Sequence, residues 1–461
     1  MSFISIEFFL FVSSLLIVFY ILPVRYYSTV MLVASLLFYG LVSPENIYLL
    51  FIVIICGFWS ALLIRKHKAK AYLILVLSIF VHIGLIFGFK YGMPLYSPES
   101  NNEIIYTLIP LGLSFFSLQS LGYVFDVYRG KIQPETKFSY YTLYISFFPQ
   151  LIVGPIERAS RLMPQLNNIS KLKSENIMFG SYLIFLGVFK KTVISNNLNV
   201  YRQFLLGGLN TAGSLDVLLY PIVTLFWVLF DFSAYTDIAR GVAKIFGVSL
   251  VENFKMPARA TSFRGFWSNW HISLTKWLAD YVYIPLALKS KSFVWRMSCT
   301  LLVFSLMGLW HAQTFIFFFI LNGCLVILEG FIHKAYKKRK TAFNAFLSFL
   351  ITQNWFVLLI ICFTVFYFGL PSFEMSHKLM SVFFSFDMEL HIIDRVLKFF
   401  ILGSVFAILL EIATRKAGGN DELITVVLKN STLSWLYPVI MFYAIILFGE
   451  FGYPDFFYYG F

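Results

Sequence analysis

The chain has 461 residues, 59% of them hydrophobic and 13% charged, with a formal net charge of +13 and a mean hydropathy of +0.78. A soluble globular chain is about one quarter charged, so these figures exclude a soluble domain and define an integral membrane protein. The positive charge sits in short clusters, notably Arg65 to Lys70 (RKHKAK) and His333 to Lys340 (HKAYKKRK), rather than in one stripe. That distribution argues against nucleic acid as a partner and suits cytoplasmic loops that meet anionic lipid headgroups.

In chain order, apolar stretches long enough for spanning helices lie at 5–22, 28–42, 46–64, 71–90, 177–196, 213–235, 293–310, 312–332, 345–370, 396–414 and 433–450. The predicted fold class is all-α and polytopic, with about eleven transmembrane helices. The first stretch, Ile4 to Leu22, can span and carries no small-residue cleavage site, so it reads as a helix and not a leader. Placing both basic clusters inside puts the N- and C-termini on the extracytoplasmic side of a bacterial inner membrane. The low-charge segments 91–103 and 371–390 then fall outside as well. Cys56, Cys299, Cys324 and Cys362 form no CxxC pair and read as buried thiols.

The central third is different. From Leu108 to Leu166 and again from Leu229 to Ala287, the apolar runs are interrupted by Pro, Gly, Asp, Glu, Arg and Asn. Irregular backbone cannot face hydrocarbon, because its polar groups would go unpaired. These segments are therefore predicted to be short re-entrant or amphipathic helices buried in the protein, lining a cavity or path. Their ionisable residues include Asp126, Arg129, Glu157, Arg158, Asp231, Asp237, Arg240 and Glu252, which should be paired or face water.

Two Trp-His pairs, Trp270-His271 and Trp310-His311, stand in this apolar chain. Histidine is the side chain best suited to proton transfer near neutral pH. His311 lies between LLVFSLMGLW and TFIFFFILNG, where it serves either as a packed ring bonded to a carbonyl or as a general base that deprotonates a hydroxyl. His271 lies among Arg264, Ser268, Asn269, Ser273, Thr275, Lys276 and Asp280. On a continuous helix, Trp267, His271 and Leu274 would share one face, and Trp270, Leu274 and Trp277 a neighbouring one. That helix is either an interfacial anchor or a face that orients a carbonyl and stabilises an oxyanion. Trp310, Trp270, Asn269, Asp280, Asp231, Tyr235 and Gln150 complete the candidate cavity. No His/Asp/Glu set has metal-ligand spacing, and no Gly-rich phosphate loop is present. His82 reads as helix packing.

The ordered motifs IPLGLSFFSLQSLGYVFDVYRG (Ile109 to Gly130), YISFFPQLIVGPIER (Tyr144 to Arg158), LFDFSAYTDIARGVAKIFGVSLVENFKMP (Leu229 to Pro257), FWSNWHISLTKWLADYVYIPL and LMGLWHA cover most of the chain. Together they resemble the membrane-bound O-acyltransferase family, in its bacterial alginate and peptidoglycan O-acetyltransferase-like branch. The terminal FFYYGF is similar to the aromatic tail of the polysaccharide-acetylating members. The resemblance implies one domain over 1–461, with N-terminal helices at 1–95, a catalytic core at 104–332 and C-terminal helices at 345–461, forming a funnel-like core. It also implies that His311 is the catalytic residue and His271 the second active-site residue. Two positions depart from the family pattern: Ala312 stands where Gly is common, and Ala279 precedes Asp280 where Arg is frequent.

Acetyl-CoA, or an acyl carrier, is the donor that the resemblance implies, with no bound cofactor. Its acyl group would cross the bilayer for O-acetylation of an envelope polysaccharide, peptidoglycan ahead of alginate. No Ser-nucleophile domain is fused to the chain, so a separate secreted partner is expected to place the acetyl group on the sugar. The alternatives are D-alanyl transfer to teichoic acid from a carrier-protein thioester and, from a different class, a polar-solute transporter. Inverted halves would favour a transporter, and the sequence shows none.

Overall fold

The computed structural model describes residues 3–92, 110–311, 313–368, 370, 372–387 and 393–452. Among them every regular element is a helix and none is a strand. Among the described residues nine helices are long and apolar enough to cross a membrane: Val24–Val42, Pro44–Lys66, Lys68–Gly92, Ser174–Gly207, Ser214–Ile245, Phe293–His311, Ile316–Lys338, Leu397–Ala417 and Ser431–Phe448. The pair Ala342–Leu350 and Asn354–Tyr367, bent by 70°, makes a tenth when counted as one span. The first apolar stretch forms Ile6–Ile21, whose 16 residues fall short of the roughly 20 that a hydrocarbon core asks for. Each of the eleven apolar stretches thus corresponds to a helix or a bent helix pair. Ala312 and the terminal FFYYGF lie outside the described residues.

Two spans are longer than their apolar cores. Ser174–Gly207 continues through the polar run Lys190–Ser195 as a π turn, and Ser214–Ile245 continues past Asp231, Asp237 and Arg240. The sequence predicts a broken segment from Leu229 onward; the helix instead runs unbroken to Ile245. Its charges are matched within the protein, Arg240 Nη1 lying 3.1 Å from Asp237 Oδ1 with both side chains buried. A paired charge no longer needs irregular backbone or water to satisfy it. The break comes later, after Ile245. Of the cysteines, Cys299 and Cys362 are buried, but Cys56 is half-buried and Cys324 is exposed on its helix, so the buried-thiol expectation holds for two of the four.

The chain divides into two compact units. Among the described residues, one comprises those up to Val188 together with Tyr235–Glu252, and the other Phe189–Ala234 together with 253–452. In the first unit His82 is held on both ring nitrogens, Nδ1 lying 2.7 Å from the Ser78 carbonyl oxygen and Nε2 2.8 Å from Ser120 Oγ. Ser120 Oγ in turn lies 2.8 Å from the Tyr141 hydroxyl. This buried chain of polar groups explains His82 as a packing residue. It also fixes Gly57, where a Cβ would stand 2.1 Å from the Tyr141 hydroxyl and 2.2 Å from Ser120 Oγ.

The same unit joins two motifs that are far apart in sequence. Glu157 of the GPIER run pairs with Arg161 at 2.6 Å and accepts the Val251 amide. Gln165 both accepts from the Ser249 amide at 2.9 Å and donates to its carbonyl at 3.2 Å. Gly57→Ala should displace Tyr141 or Ser120 and cost roughly 1–3 kcal/mol of stability. A lowered thermal midpoint in detergent, with no loss in Gly84→Ala, where the added Cβ meets nothing within 4 Å, checks this.

Candidate active site

The segment that carries His271 is two short helices and not one. Phe263–Asn269 starts on Ser262, whose Oγ accepts the Gly265 amide at 2.9 Å, and Ile272–Leu278 starts immediately after His271. Between them Trp270 is extended and His271 is left-handed, with φ 44° and ψ 55°. The shared helical faces expected for Trp267, His271 and Leu274 therefore do not form across the break. A non-glycine residue in this region stores backbone strain of order 1–3 kcal/mol and persists only where its surroundings hold it. Here the holding segment is Asn253 to Lys255: the Ile272 amide donates to the Asn253 carbonyl at 2.9 Å, and the Lys255 amide donates to the Asn269 carbonyl at 3.1 Å.

His311 is the last residue of Phe293–His311, and the chain reverses at once into Gln313–Phe315 and Ile316–Lys338. Gly308, one turn before His311, makes the tight reversal possible. A Cβ there would stand 2.8 Å from the Ile316 Cα. The glycine of LMGLWHA thus has a steric reason, which is to let two antiparallel helices close at the corner where the histidine sits.

These two elements bring the histidines together. The His271 and His311 ring centroids are 6.5 Å apart, and Trp310 touches both, at 5.8 Å and 4.7 Å respectively. Both histidines are buried, with 1% and 3% of their surface exposed. Aromatic rings wall the pair. Phe232 packs edge-on to His271 at 4.7 Å, and His311 stacks on Phe319 at 5.0 Å with the planes 11° apart. Trp270 packs on Phe266 and Phe254, and Phe254 packs on Phe232. Behind them Trp267 donates to Asn322 at 3.3 Å, and Asn322 donates to Thr364 at 2.9 Å.

Burial alone lowers the His271 pKa from 6.5 to about 3, so the folded protein keeps this ring neutral at physiological pH. Between these two values the unfolded chain binds a proton that the folded state refuses, so stability at this site is present above pH 6.5 and declines as pH falls below it. His271→Asn, which tolerates the left-handed backbone, should flatten the slope of thermal midpoint against pH between pH 7 and 4.

The remaining candidates divide. Asn269 is half-buried and serves the local turn, its amide donating to the Gly265 carbonyl at 2.9 Å. Asp280 lies half-buried in the π turn Ala279–Tyr283. Asp231 is buried in an ion pair with Lys191 at 2.6 Å and also accepts from Ser195 Oγ at 3.3 Å. Gln150 and Tyr235 belong to the other unit. There Gln150 donates to Gln119 Oε1 at 3.0 Å, and the Tyr235 ring lies 6.2 Å from Phe3. Among the described residues, no three His, Cys, Asp or Glu side chains gather where they could hold a metal ion.

Sequence reasoning passes over Lys191, Phe232, Asn253 and Phe319. Lys191 had a signal, a Lys-Lys dipeptide in the apolar run FLGVFKKTVIS. Removing one partner of a buried pair leaves an uncompensated charge. Lys191→Met and Asp231→Asn should each cost about 3–5 kcal/mol, and the double variant less than either alone. Thermal unfolding of the three proteins in one detergent checks this order.

The described residues thus form a polytopic helical protein in which two buried histidines stand together among aromatic rings. Residues 131–370 match the membrane-bound O-acyltransferase family, and the chain belongs to it. The matched span contains both histidines. The chain is 32% identical over 366 residues to the peptidoglycan O-acetyltransferase of Helicobacter pylori, covering 70% of this chain and 68% of that protein. It is 31% identical over 324 residues to the "Probable alginate O-acetylase AlgI" of Pseudomonas putida, covering 67% and 65%. The teichoic acid D-alanyltransferase of Bacillus subtilis is 25% identical over 363 residues, covering 74% and 91%. The chain is thus a multi-pass O-acyltransferase, which sets the transporter alternative aside.

Proposed function

We propose that the chain transfers acetyl groups from cytoplasmic acetyl-CoA for O-acetylation of an envelope polysaccharide, peptidoglycan in preference to alginate. The observation that carries this reading is the pair of buried histidine rings 6.5 Å apart inside the segment that matches the family. At that separation the two rings can address one reacting group from two sides. His311 takes the proton of the acceptor hydroxyl as its oxygen attacks the thioester carbonyl carbon. The C–O bond forms, the tetrahedral intermediate collapses, the C–S bond breaks, and the thiolate leaves with the proton returned by His311. His271, neutral and held in place, donates a hydrogen bond toward the carbonyl oxygen as charge develops on it. The aromatic wall excludes water, which would otherwise hydrolyse the thioester.

The polymer preference follows the printed name of the Helicobacter pylori relative. The membrane is taken to be the bacterial inner membrane. The helix Pro44–Lys66 ends in the basic pair Arg65 and Lys66, as the positive-inside bias asks of a cytoplasmic end. A separate secreted protein would take the acetyl group onward to the sugar. The second reading, D-alanyl transfer from a carrier-protein thioester, rests on the Bacillus subtilis relative.

His311→Ala in proteoliposomes should lower acetyl transfer from labelled acetyl-CoA by roughly a hundredfold or more, with the protein still folded. Unchanged transfer would overturn the catalytic assignment. Activity that requires a D-alanyl-charged carrier protein, with none from acetyl-CoA, would replace acetylation by alanylation.

A further inference from the structure

We infer that Asn253 is a positioning residue for His271, acting by taking over the helix cap that His271 does not provide. The inference rests on the reading of His271 as an active-site residue. A residue at the start of a helix ordinarily has extended backbone and turns its own side chain to accept one of the first amide groups. His271 does neither: its backbone is left-handed and its side chain makes no capping bond. Asn253, 18 residues earlier, takes both of the first two amides of Ile272–Leu278. Its carbonyl accepts from Ile272 at 2.9 Å and its side-chain Oδ1 accepts from Ser273 at 3.1 Å.

The consequence is a separation of duties. Were the imidazole to cap its own helix, one ring nitrogen would be committed to backbone. With Asn253 in that role, the ring stands among Phe232, Trp310 and His311. The neighbouring residues tighten the arrangement: Phe254 packs on Trp270 at 5.2 Å, and the Lys255 amide bonds the Asn269 carbonyl. Asn253 to Lys255 therefore grips the Trp270-His271 pair from both sides. Asn253 is 1% exposed, and its Nδ2 has no hydrogen-bond partner among the described residues. Only the acceptor half of the amide is in use, so a carboxylate oxygen can replace it at this bond.

The test is a double-variant cycle on the purified full chain in proteoliposomes, with labelled acetyl-CoA as donor. Asn253→Ala should lower kcat roughly ten- to a hundredfold, because a displacement of about 1 Å in a reacting group costs that much, with the KM for donor changed less than twofold. Asn253→Asp should recover most of that loss. In a His271→Ala background, Asn253→Ala should cause no further loss, since the residue it positions is gone. An undiminished kcat in Asn253→Ala, or an equal loss in the presence and absence of His271, overturns the inference while leaving the histidine assignment intact. If His271→Ala itself retains full activity, the underlying reading of the site has failed, and the inference with it.

Discussion

The governing constraint is that a polar group shut away from water has to be met by the protein, and nearly every non-helical feature here answers it. The helices satisfy their own backbone. What remains are side chains and broken segments, and many of these have a specific partner. His82 is bonded at both ring nitrogens, Asp231 is matched by Lys191 and Ser195, the Ser249 and Val251 amides donate to Gln165 and Glu157, and Asn253 accepts from the helix after His271. A scaffold of apolar helices alone would be easier to fold, but it would hold no polar groups at fixed positions inside the protein.

Rigid supports converge on the histidines from several elements. A corner between two antiparallel helices presents His311, and a break between two short helices presents His271. The corner depends on the absence of a side chain at Gly308, and the break on hydrogen bonds from Asn253 and Lys255. Neither support is a loop in the ordinary sense. Both are sharp, over-determined turns whose surroundings are packed aromatic rings, and such packing gives a site its geometry before any substrate arrives.

Much of this was legible in the sequence, because hydropathy reports lipid contact directly. Every apolar stretch became a helix or a bent pair, and the Trp-His dipeptides pointed to residues that do meet in space. Illegible parts depend on pairing at a distance. A run such as LFDFSAYTDIAR looks too polar to span until Lys191 is placed against Asp231, and that partner lies 40 residues away. Helical periodicity joined Trp267, His271 and Leu274 on one face because the pattern carries no trace of the left-handed residue between them. Gln150 and Tyr235, chosen for their motifs, belong to a different unit from the histidines.

The left-handed backbone at position 271 also limits what evolution or an engineer could put there. Asparagine, aspartate and histidine adopt that conformation several times more readily than other side chains, glycine adopts it freely, and β-branched residues resist it strongly. The three non-glycine members of that set all carry hydrogen-bonding groups. Before any selection for catalysis acts, the shape of the chain has already narrowed this position to an alphabet rich in polar chemistry.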